Sequence, residues 1–334
     1  MFISRAPYRL SFYGGGLDYP QWFNKFPTEI LCASLDKYCY LMIRDLPPFF
    51  EHKIRIAYSN IELCNNVRDI KHPSVREVLK YFSISEGIEL THIGDLPARS
   101  GVGSSSSFTV SLVNGISKMK NIDHSNSEIA KISTDIEQNY IKENVGIQDQ
   151  YAAALGGFIL IKANNHGISY EKINISDEYI KYLEANLIIG FSGRSRYSSL
   201  KSTKLVNIIS HNQKNDLMHE LQNLSLRGIK AFLANQDSSF HSELTKKIRD
   251  IKLELNGDKD DIFIQNIISK TENAGSMCTR FLGAGGGGFF ICWAPKNLHE
   301  KIKNSISIKI WFDVKFSFDG CSAFAKDYDE NNIK

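Results

Sequence analysis

The segment that most constrains this chain is Leu96-Pro97-Ala98-Arg99-Ser100-Gly101-Val102-Gly103-Ser104-Ser105-Ser106-Ser107. Glu86 to Ile93 before it reads as a strand. Ser104 to Met119 after it carries Phe108, Leu112, Val113 and Ile116 at the spacing of a helix. Phosphate oxygens need several convergent N–H donors. A glycine loop opening a helix supplies them, together with the positive end of the helix dipole. Serine hydroxyls add donors and can ligate Mg2+. One serine would cap the helix, so four in a row after Gly101-Val102-Gly103 exceed what capping needs. The loop is not a Walker A sequence, because no G-K-[ST] is present. Pro97, Arg99, Ser100, Gly101, Val102, Gly103, Ser104, Ser105 and Ser106 are therefore the candidate phosphate-binding residues.

A second glycine segment, Gly283-Ala284-Gly285-Gly286-Gly287-Gly288, contains G-x-G-x-x-G, the pattern of a dinucleotide site. That fingerprint must open a helix, with an acidic residue about 20 positions on. Here the strand-like Phe289-Phe290-Ile291-Cys292-Trp293 follows, so the dinucleotide reading fails. A hairpin turn needs only one or two glycines. The surplus predicts a backbone packed tightly against another chain segment or a ligand. A third segment runs from Arg5 through Pro7, Arg9 and Gly14-Gly15-Gly16 to Asp18 and Tyr19; alone it would read as an edge strand and a turn.

Between these landmarks Phe2 to Tyr13, Ile30 to Ile43, Lys53 to Tyr58, Phe158 to Ile161 and Leu187 to Phe191 read as strands, and Ser74 to Phe82 as a short helix. Ser125-Asn126-Ser127-Glu128 is a capping box opening a helix whose core stripe is Ile129, Ile132, Ile136 and Tyr140, with Glu137 at its edge. Gly146 to Leu155 continues as a short helix. Tyr197 to Leu255 is mainly helical, and Ile306 to Phe316 is read as the last strand before a frayed polar tail after Lys326.

At 334 residues the chain has room for about two domains, and the change to a helical pattern places their boundary between 185 and 186. The net charge of +3 and the lack of a dense Lys/Arg run give no nucleic-acid footprint. No apolar run approaches the ~20 residues of a membrane span, and Arg5 and Arg9 interrupt a leader-like start, so a cytoplasmic protein is expected. The six cysteines form no C-x-x-C pair and the nine histidines no H-x-x-x-H pair, which predicts reduced thiols and no structural metal.

Together the three segments resemble the motifs of the GHMP kinases. The family's P-x-x-x-G-L-G-S-S matches Pro97 to Ser105, with Val102 in place of leucine. Its glycine-alanine-glycine-glycine loop matches Gly283 to Gly288. The first motif matches Ala6 to Tyr19, where the usual G-E-H-T-D-Y is Gly14-Gly15-Gly16-Leu17-Asp18-Tyr19. The openings R-A-P-x-R and G-G-G-x-D, the run Gly146 to Ala154 and the ending Lys315 to Gly320 are most similar to the bacterial D-glycero-D-manno-heptose 7-phosphate kinase branch.

The resemblance implies an α+β, two-domain fold. Residues 1–185 would form an ATP-binding domain with a mixed sheet and helices, and 186–334 a C-terminal α/β sandwich. It implies transfer of a phosphoryl group from ATP, with Mg2+, to the anomeric hydroxyl of a small sugar phosphate; no nucleic-acid or membrane partner follows from it, and a homodimer is compatible with it. By motif position Ser105 and Glu137 would hold the metal, Asp149 would face the acceptor hydroxyl, and Arg9 would pair with Asp149 and the transferring phosphate. Asp18, with Gly15 and Gly16, would meet the sugar, Gly285 and Gly286 would lie against the substrate, and Arg194 and Arg196 would hold its distal phosphate. Plainer readings stay open here: Glu137 as a solvated carboxylate, Asp149 as a helix cap, Asp18 as a turn former, and Arg194 and Arg196 as surface arginines. So do two rival functions, a GHMP kinase for a free sugar such as fucose or galactose, and a non-catalytic ATP- and sugar-binding regulator.

Overall fold

The computed structural model describes residues 1–98, 100–194 and 198–325. Its twelve described strands form two sheets. β1 (Phe2–Tyr13) and β2 (Thr28–Asp45) are the long central pair of the first sheet, with β3 (Ile54–Ala57), β4 (Ile61–Cys64), β5 (Ile88–Gly94), β6 (Phe158–Asn164) and β7 (Gly167–Lys172) added around them. The second sheet contains β8 (Leu187–Phe191), β9 (Cys278–Phe281), β10 (Phe289–Trp293) and β11 (Trp311–Asp313). The last strand, β12 (Ser322–Ala325), returns to the first sheet.

Along the first sheet the order is β12-β1-β2-β5-β3-β4. β2 is long enough to pair with two strands on one edge: Thr28–Ala33 bonds β6, and Cys39–Asp45 bonds β5. Only β3 and β5 run parallel, so the sheet is mixed. The second sheet, in the order β11-β8-β10-β9, is wholly antiparallel. The architecture is α+β.

The helices, in chain order, are α1 (Pro20–Phe23), α2 (Pro73–Tyr81), α3 (Ser104–Met119), α4 (Asn126–Asp135), α5 (Gln148–Leu155), α6 (Asp177–Ala185), α7 (Ser198–Ser210), α8 (Asn215–Leu233), α9 (Ser238–Asn256), α10 (Ile262–Asn273) and α11 (His299–Ser305). The Ser125 box forms as the sequence predicts: the Ser125 hydroxyl accepts the Glu128 amide at 3.3 Å, and the Glu128 carboxylate accepts the Ser125 amide at 2.8 Å. α3 buries Val110, Leu112, Val113 and Ile116 against β1, β2 and β12. Removing such a face from water stabilises by about 25 cal/mol per Å2.

Four phenylalanines join the layers. Phe12 of β1 lies 4.9 Å from Phe232 of α8, and Phe158 of β6 lies 4.6 Å from Phe316, ring centre to ring centre. Aromatic pairs at such distances add directional attraction to the burial of their area.

Several elements depart from the sequence reading. The last strand expected over Ile306 to Phe316 is confined to Trp311–Asp313, and β12 forms beyond it; β7, α6 and α10 went unassigned. β7 is exposed along most of its length and β12 is four residues long, so their pairing partners define them rather than their composition. The polar tail lies outside the described residues.

Candidate active site

β5 delivers the chain to the serine-rich loop, and α3 leaves it. Gly103 is the N-cap of α3, with φ +76°, and no side chain caps the helix. The first-turn amides of Ser104, Ser105 and Ser106 therefore have no intrahelical acceptor and stand at the positive end of the helix dipole. They open on a cleft of about 1230 Å3 lined by Pro97, Gly101, Gly103, Ser104, Ser105 and Ser106. Ser100 and Val102 turn the other way. Both are fully buried, the Ser100 carbonyl accepting the Phe289 amide at 2.7 Å and the Val102 carbonyl the Arg9 amide at 3.0 Å. Arg99 lies outside the described residues.

The surplus glycines have a physical reason. A Cβ on Gly101 would stand 2.7 Å from the Leu282 carbonyl oxygen, and one on Gly283 would stand 2.9 Å from Gly101. The two glycine loops are in backbone contact, so each holds the other's shape.

Arg9 of β1 reaches across the cleft wall to Asp149 in the first turn of α5. Its Nε donates to Asp149 Oδ1 at 2.7 Å and its Nη2 to Oδ2 at 3.0 Å, while Nη1 donates to the Gly101 carbonyl at 2.6 Å. A planar fork on a carboxylate fixes both orientation and distance. Arg9 is only 5% exposed, whereas the Asp149 side chain keeps 28% of its surface open. The acid is thus held from behind and open in front.

Glu137 departs from the expected helix edge. The backbone from Ile136 to Tyr140 winds as a π-helical turn, with the Ile141 amide bonded to the Ile136 carbonyl, and Glu137 is fully buried. The wider turn swings Glu137 inward; such turns are frequent at functional sites. Its Oε2 accepts from Ser106 Oγ at 2.8 Å and from Gln150 Nε2, and its Oε1 has no partner. Burial pushes its carboxyl up to about 7. The serine in contact is Ser106 rather than Ser105, which is exposed and lines the open cleft. One helical step of about 100° separates the two side chains. A buried carboxylate oxygen without a partner, on a side chain that the Ser106 hydroxyl already meets, is a hard-oxygen donor that fits Mg2+. Among the described residues no three or more His, Cys, Asp or Glu gather into a metal site, so such an ion would complete its shell from its ligand.

On the far side of Arg9 the chain turns at Gly14–Gly16. Asp18 is buried, its Oδ1 accepting the Gly16 amide at 2.8 Å and its Oδ2 the Gln148 amide at 3.3 Å. Burial, with the nearby Asp149 charge second, holds its carboxyl above the usual range. Gly15, Gly16 and Asp18 line the same cleft as Asp149.

Two cations that the sequence reading passed over stand here. Lys252, four residues before the end of α9, makes no hydrogen bond or ion pair among the described residues; its Nζ lies 3.5 Å from where a Cβ of Gly15 would sit. Arg280 of β9 is 7% exposed, and its one hydrogen bond among the described residues goes to the Ser11 carbonyl. Desolvation first, and their mutual repulsion second for Lys252, lower Lys252 to about 7 and Arg280 to about 10. Gly285 and Gly286 line a 30 Å3 recess beside both cations. Arg194 is directed elsewhere: its Nη1 donates to Asp261 at 3.1 Å and its guanidinium lies 5.2 Å from the centre of the Phe263 ring, outside the cleft lining. Arg196 lies outside the described residues.

Residues 70–157 match the model of the GHMP kinases N terminal domain. The chain is 25% identical over 311 residues to a D-glycero-alpha-D-manno-heptose 7-phosphate kinase of Campylobacter jejuni, covering 90% of this chain and 91% of that protein. It is 30% identical over 196 residues to a Clostridium perfringens galactokinase, covering 54% and 49% respectively. The crystal structure of a D-glycero-D-manno-heptose 1-phosphate kinase from Bacteriodes thetaiotaomicron superposes with a TM-score of 0.78 at 20% identity, covering 98% of this chain and 100% of that one. The fold is that of the GHMP kinases. No helix among the described residues is long and apolar enough to cross a membrane.

Proposed function

We propose that this chain, which carries a GHMP kinase N-terminal domain, transfers the terminal phosphoryl group of ATP to the anomeric hydroxyl of D-glycero-D-manno-heptose 7-phosphate, giving the 1,7-bisphosphate. At the coarser level the chain is a phosphotransferase with an alcohol acceptor. We take 1–185 as the ATP-binding unit and 186–334 as its C-terminal partner.

The observation that carries the reading is the Arg9–Asp149 fork, held in one cleft with the uncapped N-terminus of α3. Asp149 accepts the proton of the attacking hydroxyl as its oxygen bonds to the terminal phosphorus of ATP and ADP departs. Arg9 keeps that carboxylate aimed, and its charge lies beside the transferring group. The amides of Ser104 to Ser106 hold the remaining phosphate oxygens. Mg2+, when bound, screens the phosphate charge; Glu137 with Ser105 and Ser106 would hold it.

A panel of sugars and sugar phosphates with ATP and Mg2+, read by ADP release and product mass, tests this. Turnover is expected with heptose 7-phosphate, with one added phosphate in the product. Faster turnover of free galactose or fucose would overturn the substrate assignment in favour of the reading that the galactokinase similarity supports. Tight binding of ATP and sugar without any turnover would point to a regulator.

A further inference from the structure

Among the described residues Arg9 and Arg280 are the buried arginines, and Lys252 stands half-buried beside Arg280. Arg9 meets Asp149, Lys201 meets Asp258 and Arg249 meets Glu272. Lys252 and Arg280 meet none among the described residues, although both line the cleft. Asp18, the carboxylate whose charge reaches Lys252, forms no ion pair with it and is already engaged by two backbone amides. Removing cations from water without a counter-ion is costly, and proteins keep such an arrangement where a ligand completes it.

We propose that Lys252 and Arg280 form the anion subsite that recognises the acceptor's own phosphate, a role the sequence offers to Arg194 and Arg196 because they follow a strand. The proposal rests on reading the chain as a sugar-phosphate kinase. A guanidinium supplies a planar pair of donors and an ammonium a compact point charge, and together they suit a phosphate monoester carrying about −1.5 to −2 charge. Position along β1 separates this subsite from the donor phosphates. Arg9 lies against Gly101 and Val102 of the phosphate loop; two residues on, the Ser11 carbonyl holds Arg280; beyond the turn, Gly15 lies against Lys252. Asp149 and Asp18 line the same cleft, across which a sugar would span from the reacting hydroxyl to its distal phosphate. The Gly285–Gly286 recess gives the anion room on the far side.

The test uses full-length protein saturated with Mg2+ and a non-hydrolysable ATP analogue, so that the donor site is filled. Heptose 7-phosphate, the dephosphorylated heptose and inorganic phosphate are then titrated by calorimetry. The wild type is expected to bind the phosphorylated sugar at least ~10-fold more tightly than the free sugar, the scale of charge-assisted hydrogen bonds. Lys252→Met and Arg280→Gln should each remove that preference while leaving free-sugar and nucleotide affinities within about twofold, and Lys252→Arg should restore it. Should Arg280→Gln fail to fold, the Lys252 pair decides. An undiminished preference in Lys252→Met overturns the subsite, and so does an equal loss of nucleotide affinity, which would assign the cations to the donor. The two readings fail separately. Phosphate binding that Lys252→Met abolishes, without turnover of any sugar phosphate, keeps the subsite and sinks the substrate. Turnover of heptose 7-phosphate with an unchanged KM in the Lys252 and Arg280 variants keeps the substrate and sinks the subsite.

Discussion

The two ends of the cleft are built on opposite electrostatic plans. At the phosphate loop the pair that faces the reaction is settled within the protein: Arg9 is forked on Asp149 and tied to the Gly101 carbonyl. At the other end Lys252 and Arg280 stand without a paired carboxylate among the described residues. The difference separates two tasks. A group that must act on a reacting atom is preorganised, whereas a group that selects a ligand is left for the ligand to complete.

The largest effect should come from breaking the settled end. Asp149→Asn keeps the shape of the fork and removes its proton acceptor, so turnover is expected to fall at least ~10²-fold with folding intact. Steady-state kinetics beside a thermal melt checks this, and turnover near the wild-type level would remove Asp149 from the chemistry.

A smaller effect should follow from Glu137. Its folded carboxyl titrates near 7 against an ordinary value of 4.5. Without metal the folded state therefore holds a proton that the unfolded chain has released, and this group's contribution to stability declines as pH rises from about 4.5 to about 7. Ligation needs the carboxylate, so the sign reverses for binding: Mg·ATP should bind roughly tenfold more weakly at pH 6 than at pH 8. In Glu137→Gln that pH dependence should vanish and the affinity should be weak throughout. A wild-type affinity flat across this range would release Glu137 from the metal.

The smallest effect lies outside the cleft. Ser125→Ala removes half of the α4 capping box and should lower stability by about 1 kcal/mol, with kcat and KM unchanged. A change in KM would mean that α4 carries strain into the neighbouring Glu137 turn, and the settled end would be less rigid than its hydrogen bonds suggest.

What could be read from the sequence was local. The strand-loop-helix context of Gly101 to Ser107 and the Ser125 box are written in neighbouring residues, and both took the expected form. The inward turn of Glu137 was not legible, because regular helical spacing assigns it an edge and only the π-helical turn moves it. Lys252 sits among Arg249, Asp250 and Glu254, where it reads as one more charge on the wet face of α9. Arg280 left a stronger trace, an arginine inside the strand Cys278–Phe281 immediately before the glycine loop. The meeting of the two depends on how α9 packs against β9, which no window of sequence contains.

The return of β12 to β1 has a consequence for biosynthesis. Ala325 to Ser322 pair with Phe2 to Arg5, four residues upstream of the arginine that aims Asp149. While a ribosome adds the intervening residues, at roughly 5–20 per second, this edge of β1 waits uncovered for tens of seconds. The nascent chain must keep its first strand from joining a stranger's sheet until β12 emerges to close the seam.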